Sequence, residues 1–121
     1  MTTVLMVDDN PADIEEMNLI LTKAGYNTLT QPDGTHILDF LKSHQADLIM
    51  LDLVMPKLNG IEILRELKQN YPDIPVIMCS AAGLEQVVDL ALRVGAAGYV
   101  VKPYMEQELL ESIENIIGKK G

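Results

Sequence analysis

The chain holds a single cysteine, Cys79, in 121 residues. That scarcity excludes an internal disulfide and a cysteine-based zinc cluster. Basic residues are few as well. Lys and Arg total 9 against 18 Asp and Glu, for a formal charge of -9 and a pI near 4.5. So acidic a chain repels a phosphate backbone, which argues against direct nucleic-acid binding. It also lacks the polybasic segment that draws proteins onto anionic membranes. No window approaches the ~20 apolar residues of a membrane span. The start, Met1-Thr2-Thr3, has neither the basic head nor the cleavage-like site of a signal peptide. The expected compartment is the cytoplasm.

What is present is the composition of a soluble globular protein, 48% hydrophobic and 22% charged. The length suits one compact domain over residues 1–121. Five short apolar runs recur: Val4 to Val7, Tyr26 to Thr30, Leu48 to Leu51, Val76 to Cys79 and Gly98 to Val101. Four are nearly continuous in apolar residues, as in parallel strands covered on both faces. Between them the period becomes helical. The spacing predicts helices over about Pro11 to Ala24, Gly34 to Ser43, Ile61 to Asn70, Leu84 to Val94 and Met105 to Ile117. Asn10 and Pro11 suit the start of the first helix, and Gly25 suits its end. The last three residues, Lys119 to Gly121, are expected to fray.

Five repeats of strand then helix imply an α/β domain, a parallel sheet with helices on both faces. Two doubly wound strand orders are common, and the shorter is 2-1-3-4-5. In that order a ligand belongs outside the carboxyl ends of strands 1 and 3, where the winding reverses. Strand 1 runs into Asp8-Asp9 and strand 3 into Asp52. Three carboxylates should therefore meet there, and their mutual repulsion calls for a cation. Oxygen-only ligands favour Mg²⁺. Strand 4 runs into Ser80 and strand 5 into Lys102, adding a hydroxyl and an ammonium at the same edge. Metal, hydroxyl and ammonium together suit a phosphoryl group. Asp52 is then the nucleophile, forming an aspartyl phosphate.

These residues carry a family resemblance. The Asp8-Asp9 pair, Asp52 followed by Met55-Pro56 and Gly60, Ser80-Ala81, and Tyr99 followed by Lys102-Pro103 resemble the receiver domain of bacterial two-component response regulators, most closely the single-domain chemotaxis type. The resemblance spans essentially the whole chain. It implies the flavodoxin-like order 2-1-3-4-5 and a phosphoacceptor role for Asp52. It also implies Mg²⁺ ligation by Asp8, Asp9, Asp52 and the backbone carbonyl of Val54. Ser80 is implied as the switch hydroxyl, Tyr99 as the switch aromatic, Lys102 as the phosphate-binding lysine, and the Lys102–Pro103 peptide as cis. The implied partners are a histidine kinase or phosphotransfer protein as donor and a downstream target protein. The chain is expected to be a monomer, or a dimer formed on phosphorylation.

On the fourth helix, Val87, Leu90, Ala91 and Val94 cluster as an expected core face, taking about 100° per residue. Val88 and Leu92 fall toward Glu85, Asp89 and Arg93, so with Tyr99 and the outer side of the fifth helix they form an expected partner face. Gly60 is expected to permit the turn into the third helix, and Met55-Pro56 to shape the loop beneath Asp52. Cys79 reads as a packed core thiol, and His36 and His44 as surface residues.

Other readings fare worse. A haloacid-type Mg²⁺ phosphohydrolase wants a second Asp two residues after its nucleophile, where this chain has Val54. A flavin-binding protein of this topology needs hydroxyls and amides where Asp8 and Asp9 stand. A docking module that takes no phosphate has no need of the intact set Asp8, Asp9, Asp52, Ser80 and Lys102. A receiver module of a larger regulator or hybrid kinase remains the main alternative. Nothing after the fifth helix reads as an output domain, so, if the chain is complete, output is expected to pass through another protein.

Overall fold

A computed structural model describes residues 2–53 and 60–118. The Met55-Pro56 segment, the Val54 carbonyl and the Lys119 to Gly121 tail lie outside the described residues. The elements alternate as β1 (Thr3–Val7), α1 (Pro11–Lys23), β2 (Asn27–Gln31), α2 (Ile37–Ser43), β3 (Leu48–Asp52), α3 (Gly60–Asn70), β4 (Val76–Ala81), α4 (Glu85–Val94), β5 (Gly98–Lys102) and α5 (Glu106–Ile117). The strands form one parallel sheet in the order β2-β1-β3-β4-β5. The flavodoxin-like order expected from the family resemblance is therefore the observed one.

Strand periodicity divides the core in two. Leu5, Val7, Ile49, Leu51, Val76 and Met78 point to the side covered by α2, α3 and α4. Val4, Met6, Leu48, Met50, Ile77 and Cys79 point to the side covered by α1 and α5. All five residues of β3 are buried, which explains its unbroken apolar run. The two edge strands are less covered. On β5 the α4 side stays open, leaving Tyr99 and Val101 exposed.

Local signals set the ends of α1. The Asn10 side chain accepts a hydrogen bond from the Ala12 amide at 2.9 Å, and Pro11 occupies the first turn. At the other end Gly25 adopts a φ of 95°, while its own N–H and that of Tyr26 donate to Thr22 and Leu21. That double closure satisfies carbonyls the helix leaves unpaired, and it favours glycine.

Two expectations need correction. Helix α2 begins at Ile37 rather than near Gly34, because the Asp33 carboxylate accepts from the Thr35 amide and holds that stretch in a turn. Gly60 opens α3, in line with the expected turn, and glycine is needed there for space, since a Cβ would lie 2.6 Å from the Leu53 carbonyl oxygen. The second correction is on α4, whose buried stripe is rotated from the expected one. Val88 is buried, and Leu90 is 46% exposed. Leu84, Val87, Val88, Ala91 and Val94 make the inner face, with Leu90 and Leu92 about 100° to either side of Ala91. The expected set omitted Val88, which lines the groove between α4 and the paired strands β4 and β5.

Candidate functional site

Asp8 immediately follows β1, Asp52 ends β3, Ser80 lies near the end of β4 and Lys102 ends β5. All four reach the carboxyl edge of the sheet around the reversal between β1 and β3. Asp8, Asp52 and Ser80 are the buried polar or charged side chains among the described residues. A crevice of about 260 Å³ is lined by these residues together with Asp9, Asp13 and Leu84.

The carboxylates converge as the sequence implied. Oxygens of Asp8, Asp9 and Asp52 lie within 4.8 Å of one another. One Asp8 oxygen accepts from the Asn10 amide at 2.9 Å. The other accepts from Lys102 Nζ, also at 2.9 Å. Lys102 Nζ stands 3.6 Å from Asp52 Oδ1. Burial pulls the Lys102 pKa down, but hydrogen bonds to Asp13 and Asp8 and the charge of Asp52 prevail, and the net shift is upward. This lysine is a permanent cation at working pH. An oxygen-only set of three clustered carboxylates fits a hard divalent cation such as Mg²⁺.

Asp13 was not singled out in the sequence. Its carboxylate accepts from Lys102 Nζ at 2.8 Å, the shortest of the lysine's three carboxylate contacts. The signal was available: Asp13 lies four residues after Asp9, in the first turn of a capped helix, where one turn returns it to the crevice.

Ser80 links this crevice to a second one. The Ser80 hydroxyl is buried and has no hydrogen-bond partner among the described residues. Behind it a groove of about 260 Å³ runs between α4 and β5, lined by Ala82, Val88, Tyr99 and Val101 among others. Tyr99 is 48% exposed. Leu92 is exposed as expected, but Val88 is buried and does not belong to an exposed face. The Lys102–Pro103 peptide is cis, as the resemblance implied. Cys79 is buried beneath the site, and burial pushes its thiol up to about 12 despite the neighbouring Tyr104 hydroxyl and Lys102 charge. It is therefore a core thiol, with no thiolate to react. His36 and His44 are both exposed, and His44 stacks on Phe40.

The family model for the response regulator receiver domain matches residues 4–114. The chain belongs to that family. Receiver domains are phosphoacceptor modules of two-component signalling, and this receiver carries the acidic cluster of such a module. It is 33% identical over 115 residues to the chemotaxis protein CheY of Bacillus subtilis, covering 94% of this chain and 96% of that protein. It is 38% identical over 117 residues to the transcriptional regulatory protein CpxR of Escherichia coli. That match covers 97% of the receiver but 50% of CpxR, so the receiver spans about half the length of such relatives. The solved structure of the chemotaxis protein CheY4 of Vibrio cholerae superposes with a TM-score of 0.88 at 28% identity, covering 97% of this chain and 99% of that one. Among the described residues no helix is long and apolar enough to cross a membrane.

Proposed function

We propose that this receiver, one domain over residues 1–121, takes a phosphoryl group on Asp52 from a phosphohistidine of a kinase or phosphotransfer protein and then changes its affinity for a target protein. The observation that supports this most directly is the placement of Lys102 Nζ 3.6 Å from an Asp52 carboxylate that shares its crevice with Asp8 and Asp9.

Asp8, Asp9 and Asp52 would hold Mg²⁺, with the Val54 carbonyl as a further ligand by family resemblance. Bound there, the ion supplies charge neutralisation and orientation of the phosphoryl oxygens. An Asp52 oxygen attacks phosphorus, a P–O bond forms, and the P–N bond to the donor imidazole breaks. The imidazole nitrogen keeps the electron pair. Lys102 offers its ammonium to the transferred oxygens, and the buried Ser80 hydroxyl can donate to another. Incubation with a small phosphodonor and intact-mass readout test this. One phosphoryl group should appear with Mg²⁺ and almost none with a chelator. Equal labelling with the chelator would rule out the metal-assisted step.

Output runs through the α4–β5–α5 face. As Ser80 moves toward the phosphoryl group, the groove behind it becomes a seat for the Tyr99 ring, which now lies half outside. With Val88 removed from the expected patch, the exposed apolar residues there are Leu92, Tyr99, Val101 and Met105. Such a patch suits a target protein more than solvent. Fluorine-labelled Tyr99 reports both events. Its resonance should shift when Mg²⁺ and phosphodonor are added, and again when a target binds. A resonance that ignores phosphorylation sinks the switch, and one that ignores the bound target sinks the face.

A further inference from the structure

Lys102 is shared among three carboxylates. Its ammonium has three N–H donors. Two are committed, to Asp13 at 2.8 Å and to Asp8 at 2.9 Å, while Asp52 waits at 3.6 Å. A phosphoryl group on Asp52 brings new acceptor oxygens that compete for this cation. Asp8 already accepts from the Asn10 amide and belongs to the metal cluster. Asp13 is outside that cluster. It stands on the first turn of α1, where the helix N-terminus favours a negative side chain. The Asp13 and Lys102 side chains are 27% and 20% exposed, so water only partly screens the pair.

We propose that Asp13 is a positioning residue: it holds the Lys102 ammonium on the α1 side of the crevice and so sets how readily that ammonium passes to an arriving phosphoryl group. The inference rests on the phosphoacceptor reading of Asp52. Asp13 touches neither phosphorus nor metal in this scheme. It acts through Lys102, and its carboxylate also adds a like charge that an anionic donor must approach. Neutralising it should release the lysine toward Asp52 and ease donor binding.

The test measures phosphorylation rate against acetyl phosphate concentration, with Mg²⁺ present and intact mass as readout. Asp13→Asn should lower the half-saturating donor concentration by about threefold to tenfold, as expected for losing one competing charge-assisted contact. The maximal rate should change less. Asp13→Glu, which keeps the carboxylate, should return toward wild type. Glu16→Gln removes the same charge from the exposed side of α1 and should have little effect. A second readout needs neither metal nor donor. The ammonium resonance of Lys102 should be visible in wild type and Glu16→Gln, and weakened by exchange in Asp13→Asn. Unchanged half-saturation in Asp13→Asn, an equal gain in Glu16→Gln, or an unaltered Lys102 signal would each overturn the inference while leaving the phosphoacceptor reading in place. If wild type itself gains no phosphoryl group, both fall together.

Discussion

Asp52→Asn should remain at its unmodified mass under conditions in which wild type gains one phosphoryl group. A carboxamide oxygen carries no full negative charge and is a poor nucleophile toward phosphorus, so uptake should fall at least a hundredfold, or about 3 kcal/mol of barrier. The other carboxylates are badly placed to substitute. Asp8 has its oxygens engaged by the Asn10 amide and Lys102, and Asp9 faces solvent. The loss should not come from unfolding. Asn is nearly isosteric with Asp, and the change removes one of the three carboxylates gathered around a single lysine. Relief of that repulsion should leave the metal-free variant at least as resistant to urea as wild type. Labelling of the variant at Asp8, Asp9 or Asp13 would show that the crevice, and not Asp52, is the acceptor.

The second large effect is expected at Gly60. A Cβ built there would sit 2.6 Å from the Leu53 carbonyl oxygen and 2.8 Å from that of Asp52. Neither is the end of a flexible side chain, so the backbone itself must give. The Gly60 N–H also donates to the Leu53 carbonyl at 3.2 Å, tying the first residue of α3 to the chain just past β3. Gly60→Ala should therefore destabilise the fold by about 1–3 kcal/mol, the usual range for overpacking. With an m-value of about 1–3 kcal/mol/M, the urea midpoint should fall by roughly 1 M. Phosphoryl uptake should slow as well, because the displaced peptide carries Asp52. An unchanged midpoint would mean that α3 can lift away from β3 freely.

The parts of the fold that were legible in the sequence are those with a strong periodic or chemical reason. Unbroken apolar runs such as Leu48 to Leu51 can be satisfied by a strand buried on both faces, and β3 is one. The carboxyl ends of such strands then place Asp8, Asp52, Ser80 and Lys102 together with no knowledge of side-chain contacts. Boundaries were less legible where a side chain competes with the helix. Asp33 binding the Thr35 amide delays α2 until Ile37. The rotation of α4 could not be read from spacing alone. Val88, Leu90 and Leu92 are all aliphatic, and only the position of β4 and β5 decides which of them is covered. Asp13 shows a different limit. A charged residue in a first helical turn has a sufficient local explanation, and only the reach of Lys102 across the crevice reveals the second.

The Ser80 hydroxyl has a further consequence. It is enclosed with no acceptor or donor among the described residues, and an unmet buried polar group raises the free energy of the state containing it by about 1–3 kcal/mol. On the proposed reading, a phosphoryl oxygen on Asp52 would give the hydroxyl its missing partner. Phosphorylation would then relieve a cost carried by the resting form, and so would favour whatever arrangement brings Ser80 to the phosphoryl group.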